Sequence, residues 1–239
     1  MAASRIVGIL GGMGPAATVD FYDKLVRATP ARVDQDHLRV VMWADPTVPD
    51  RHAAVRGTGE DPLPWLEQGV RRLQEAGADL VVAPCNTVHA LLPDVVARAG
   101  VEFVSIIDTA VGVAVAADRG HSVGVVAADG AVEADLYQSA LRAAGRRPVL
   151  PTNEQQAQVM SIIHRVKAGG SGEQEEGELS AILGELATAG ATSVIVGCTE
   201  LSVLLGGVTT DLYVVDAAEA LAQRTVALCA VPGSAGKPA

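Results

Sequence analysis

The chain has 239 residues, of which 49% are apolar, 19% charged and only 3% aromatic, and it carries a net charge of −10. That profile is expected of a soluble α/β protein with an aliphatic core and excludes a disordered or fibrous chain. Without a Lys/Arg cluster the acidic balance argues against nucleic acid or an anionic membrane surface as a partner, because both require a positive footprint.

Short β-branched runs alternate with helical patterns from end to end, the pattern of parallel strands joined by crossover helices. Residues 5–10 predict the first strand, and their single short apolar run is read as neither signal peptide nor membrane anchor, so the expected location is the cytoplasm. The loop Gly11-Gly12-Met13-Gly14 follows. Its glycines are out of register with Gly-x-Gly-x-x-Gly, which disfavours a dinucleotide even though Asp45 lies after the second strand. A tight turn in which the backbone at Gly12 and Met13 approaches a small ligand fits better. Pro15 opens a helix that runs towards Thr29, with Phe21 and Leu25 on one face and Pro30 closing it. Strands are predicted over 38–43, 80–83 and 103–106, and then over 122–127, 193–196 and 212–215. The glycines Gly77 and Gly190 suit helix C-caps. Arg51, in the loop 45–51, is placed to capture a carboxylate bidentately. Lys167 follows the amphipathic stretch 159–166 and is a second, weaker candidate that also suits a helix dipole. Residues 169–177 read as a mobile surface connection, and 231–239 as a disordered tail. The expected lobes are 1–116, completed by 212–230, and 117–211.

A duplication organises this order. Val81-Val82-Ala83-Pro84-Cys85-Asn86-Thr87 recurs as Val194-Ile195-Val196-Gly197-Cys198-Thr199, each behind an Ala-Gly-Ala, with the cysteines 113 residues apart. Two related lobes therefore each present one thiol at the carboxyl end of a buried strand, where a helix N-terminus is expected to favour a thiolate. Facing each other across the interlobe cleft, two such thiols make an acid and a base. Asn86, Thr87 and Thr199 can cap the helices that begin there, hold a ligand carboxylate, or both. No Cys-x-x-Cys or His-x-x-x-His spacing points to zinc, and Cys229 reads as ordinary core.

The segments Gly8-Ile9-Leu10-Gly11-Gly12-Met13-Gly14-Pro15, the turn 46–51, Pro84-Cys85-Asn86-Thr87-Val88-His89 and Gly197-Cys198-Thr199-Glu200 together resemble the cofactor-independent aspartate/glutamate racemase superfamily. The aspartate racemases are the most similar, over roughly residues 6–220. The resemblance implies two pseudo-symmetric Rossmann-like, flavodoxin-like α/β lobes, each a parallel sheet flanked by helices, with the active site between them. It implies Cys85 and Cys198 as two catalytic bases, a small acidic amino-acid substrate, no cofactor and no metal, and a homodimer. Substrate contacts are implied for Gly12, Met13, Asn86, Thr87, Thr199 and Glu200, with Arg51 and Lys167 on the side-chain carboxylate. Where the family has a threonine-rich loop after the second lobe's first strand, this chain reads Ala127-Ala128-Asp129-Gly130-Ala131. A carboxylate beside Asp129 would be repelled unless that side chain turns away. Glutamate or another amino acid is the alternative substrate, a two-lobed amino-acid-binding protein without catalysis the alternative class, and a nicotinamide oxidoreductase the least favoured. Arylmalonate decarboxylase relatives keep one cysteine, so the intact pair counts against their chemistry.

Overall fold

The apolar runs that open each half become central strands because both of their faces are covered. In Ile6–Gly11 (β1), Val7 and Ile9 face one core and Leu10 the other. In Ser122–Ala127 (β5), Val123 and Val125 face the first of these cores and Val126 a third. Strands buried on both sides read as continuous hydrophobic runs, as these do. The computed structural model describes residues 5–170 and 172–229. After β1 come α1 (Pro15–Ala28), β2 (Arg39–Ala44), α2 (Arg51–Val55), α3 (Leu63–Glu75), β3 (Leu80–Val82), α4 (Leu92–Ala99), β4 (Glu102–Val104) and α5 (Ile106–Ala116). After β5 follow α6 (Asp129–Glu133), α7 (Leu136–Ala143), β6 (Arg147–Val149), α8 (Asn153–Lys167), α9 (Glu173–Thr188), β7 (Ser193–Gly197), α10 (Thr199–Ser202), β8 (Tyr213–Asp216) and α11 (Ala217–Cys229).

The two sheets are parallel throughout and share one order, β2-β1-β3-β4 and β6-β5-β7-β8. In each, the order reverses beside the opening strand, so the loops leaving the carboxyl ends of β1 and β3, and of β5 and β7, part to opposite sides. Open α/β sheets bind ligands at such a switch point. The four loops there carry Met13, Cys85, Ala128 and Cys198. The repeat extends to backbone conformation: Gly77 and Gly190, just past the ends of α3 and α9, both adopt left-handed φ, +88° and +93°.

One core joins the inner faces of both sheets through Phe21 of α1, Ile106 of α5, Tyr137 of α7 and Leu221 of α11. The outer faces are covered separately, by Leu66, Leu73 and Val95 of α3 and α4, and by Ile162, Ile163 and Leu183 of α8 and α9. Each such aliphatic side chain contributes about 1.5–3 kcal/mol by burial.

The structure corrects several expectations. The strand expected to complete the first lobe, β8, pairs with β7 in the second sheet, while α11 packs on α1 and α5. Ile106 starts α5 instead of ending a strand, because Ser105 Oγ accepts the Asp108 N–H and caps the helix. Within 169–177, residues from Glu173 onward belong to α9. The strand β6 went unpredicted: it is three residues long, contains Pro148 and sits at a sheet edge, where a missing N–H is tolerated. The tail 231–239 lies outside the described residues.

Candidate active site

The four switch-point loops enclose a small cavity of about 20 Å³ that opens to solvent. Met13, Arg51, His52, Cys85, Asn86 and Thr87 line it from the first lobe, and Ala128, Lys167, Gly197, Cys198, Thr199 and Glu200 from the second. Every residue expected at the site is there except Gly12. At φ +91° a Cβ on Gly12 would stand 2.4 Å from the Asp45 backbone, and its N–H is taken by Thr18 Oγ1 at 2.9 Å. Gly12 thus lets the loop after β1 pass the loop after β2, which turns Met13 into the cavity.

The Cys85 loop is held from behind. His89, in the 3₁₀ turn Thr87–Ala90, has Nδ1 2.9 Å from the Cys85 carbonyl oxygen, and its Nε2 accepts the Ile106 N–H at 3.2 Å. Those two bonds require a neutral ring with the proton on Nδ1, and burial pushes its pKa down to about 4. Asn86 forms no helix cap. Its Oδ1 instead accepts the Tyr137 hydroxyl at 2.5 Å, which leaves Nδ2 buried and without a partner among the described residues at the cavity wall. Tyr137 also lies against the other cysteine loop, since a Cβ on Gly197 would stand 2.4 Å from its ring. One buried phenol therefore braces both thiol loops. Thr199 Oγ1 adds a long bond of 3.4 Å to the Pro84 carbonyl across the lobes.

Cys198 departs from expectation. Its Sγ donates to Glu200 Oε2 at 3.1 Å, and burial, together with the Glu200 charge and this bond, pushes the thiol well above its ordinary range. The helix behind it, α10, is only four residues long, too short to build the dipole that would favour a thiolate. The bond and the upward shift both favour the protonated form of the Cys198 thiol. Lys167 Nζ stands 4.0 Å from Glu200 Oε1 at the end of α8.

Residues 10–225 match the family described as Asp/Glu/Hydantoin racemase. The chain belongs to that family. Its fold is similar to that of an aspartate racemase from Picrophilus torridus, at 31% identity and a TM-score of 0.83 over 94% of each chain. By sequence it is similar to the broad-specificity amino-acid racemase RacX of Bacillus subtilis, 24% identical over 92% of this chain and 96% of that one. A glutamate racemase from Corynebacterium diphtheriae is 32% identical over 59% of this chain and 50% of its own. Among the described residues no helix is long and apolar enough to cross a membrane.

Two features bear on what this racemase-family cavity accepts. The Arg51 fork, expected to be free, is largely engaged: Nη1 donates to the Val48 and Pro49 carbonyls at 3.2 Å and Nη2 to Met13 O at 3.1 Å. These bonds close the loop after β2 onto the loop after β1. The Nε–H stays buried without a partner among the described residues. Asp129, the expected source of repulsion, is turned out of the cavity lining, with Oδ1 accepting Gln156 Nε2 at 2.8 Å and Oδ2 accepting Arg56 Nη2 at 3.3 Å. The sequence reading missed His52 and Tyr137. Both act through partners in the opposite lobe, and neither lies in a glycine loop or a cysteine motif.

Proposed function

We propose that this chain interconverts L- and D-aspartate by proton transfer at Cα between Cys85 and Cys198, without pyridoxal phosphate or another cofactor. The observation that carries the reading is that one cavity receives a thiol from each lobe, and that one of them, Cys198, is buried with its Sγ donating to Glu200. A thiolate at Cys85 takes the α-proton, the bonding pair moves into the carboxylate as an enolate dianion, and the Cys198 thiol delivers its proton to the opposite face. The reverse reaction exchanges the two roles. The hard step is holding the dianion, and it requires fixed donors. The unpaired Asn86 Nδ2, with the Thr87 and Thr199 hydroxyls, meets the α-carboxylate; each preorganised donor of this kind contributes roughly 2.7–4 kcal/mol. The Arg51 Nε–H and the Lys167 ammonium supply positive charge for the side-chain carboxylate, and Asp129, tied to Arg56 and Gln156, does not oppose it. The partners in this reading are a small acidic amino acid and a second copy of the chain, for which the exposed apolar stripe Val19, Tyr22 and Val26 along α1 offers a face. The location in this reading is the cytoplasm.

The alternative substrate is glutamate or a wider set, as the relatives above suggest. Incubation with a panel of L-amino acids in deuterated water separates the readings. Aspartate is expected to gain α-deuterium fastest and to appear in both enantiomers. Faster uptake by glutamate or a neutral amino acid would replace the substrate, and uptake by none, with aspartate still bound, would make the chain a binding protein.

Glu200→Gln tests the proton assignment. Removing the negative charge and the strong acceptor makes Cys198 easier to ionise, so the alkaline limb of the rate profile is expected to move to lower pH. The limb belongs to the coupled thiol pair. An alkaline limb that stays in place would show that Cys198 does not titrate there.

A further inference from the structure

His52 lines the same cavity, yet no step above uses it. It stands at the start of α2, where Asp50 Oδ1 accepts its N–H at 2.8 Å and caps the helix. Its ring Nδ1 accepts the N–H of Gly130, in the first turn of α6 in the other lobe, at 2.9 Å. Accepting at Nδ1 places the ring proton on Nε2. The contact is close on every side: a Cβ on Gly130 would stand 2.8 Å from that Nδ1 and 2.5 Å from Thr87 Cγ2. Farther out along the same seam, Arg56 at the end of α2 pairs with Glu133 at 2.6 Å and Asp129 at 3.3 Å, but Arg56 and Glu133 are exposed, Asp129 is only half-buried, and solvent screens the pairs. The inner bond is the sheltered one. The seam between α2 and α6 therefore crosses from lobe to lobe at the cavity wall, and His52 is its polar contact on the cavity side.

We infer that His52 is a positioning residue that latches the two lobes over the cavity: the neutral ring holds α6 through Gly130, and the protonated ring, having lost its acceptor, releases it. The groups facing the ring are Asp50 and Arg51 at the start of its own helix, Asp129 and the Arg56-bound Glu133 on α6, and Lys167 at the end of α8. Burial, with Lys167 and Arg51, pulls the imidazole below its ordinary value against the opposing pull of Asp50 and Asp129. The folded-state value is thus below the unfolded one. The latch is fully present above about pH 6.5 and is lost as pH falls through the depressed value. Closure of this kind excludes water and fixes the donors around the reacting carbon.

Hydrogen exchange at the Gly130 amide reads the latch without any substrate. After correction for intrinsic rates, wild-type protection is expected to fall at least tenfold between pH 7.5 and 5. His52→Asn keeps a carbonyl acceptor near the position of Nδ1 that does not titrate, so protection there is expected to hold across the range. His52→Ala is expected to be unprotected throughout. Protection that ignores pH in the wild type, or the same fall in the Asn variant, would overturn the latch. A second readout rests on the racemase reading: the KM for aspartate rises in acid with little change in kcat, and this rise is lost in His52→Asn. Should no amino acid turn over, that reading fails while the exchange result still decides the latch.

Discussion

Replacing either Cys85 or Cys198 by Ala is expected to abolish racemisation, because in the proposed two-thiol reaction each removes the proton carrier on one face of Cα. A positioned acid or base is worth about 10²–10⁴-fold on its own, and in that reaction the product cannot form without both. The residual chemistry is more telling than the loss. With one thiol left, a proton can still leave and return on the same face, so each variant is expected to exchange the α-hydrogen of one enantiomer with retention, and the two variants to choose opposite enantiomers. Both thiols are buried, 7% and 6% exposed, and Ala is only slightly smaller, so the fold is expected to survive with a loss on the order of 1 kcal/mol. Deuterium uptake in each enantiomer, followed by chiral separation, checks this. Interconversion retained in either variant would remove that thiol from the reaction.

The duplicated strand-and-cysteine element made the fold legible, since two copies of strand, loop and helix imply two parallel sheets with equivalent switch points. That topology alone brings Met13, Cys85 and Cys198 to one cavity. What stayed hidden is carried by contacts between segments with no shared local pattern. Tyr137 meets Asn86 across 51 residues, and His52 meets Gly130 across 78. Neither side chain has a periodicity or motif that names its partner. Which thiol of the pair is the acid was not legible for a different reason: strand-then-helix suggests a dipole at both, but behind Cys198 the helix stops after one turn, and burial, with the carboxylate two residues on, pushes that thiol up. The same local reading placed β8 in the first lobe, because β-branched composition marks a strand without saying which sheet edge receives it.

His89 ties the stability of the fold to the site. Its ring is completely buried, and both nitrogens are used, one against the Cys85 carbonyl and one by the Ile106 N–H. An imidazolium cannot accept from Ile106, and the lost solvation outweighs the opposing pull of the Cys85 and Asn86 backbone and of Asp108, which is why the pKa falls to about 4. The unfolded chain binds that proton near pH 6.5, so acid favours unfolding. The stabilisation is whole above about pH 6.5, declines through the interval below it, and is gone under about pH 4. At pH 4.5 the loss from this residue is on the order of 2–3 kcal/mol, a large share of the 5–15 kcal/mol that holds an ordinary domain. Urea unfolding of the wild type and of His89→Asn at pH 7.5 and 4.5 isolates it. The variant is expected to be weaker at neutral pH, having lost ring packing and one of two hydrogen bonds, but to lose about 2–3 kcal/mol less than the wild type on acidification. Equal acid sensitivity in the two proteins would place the titrating group elsewhere. Because the protonated ring abandons α5 as it forms, the Cys85 loop loses its brace in the same step, and in the wild type activity is expected to fall with stability over one pH interval.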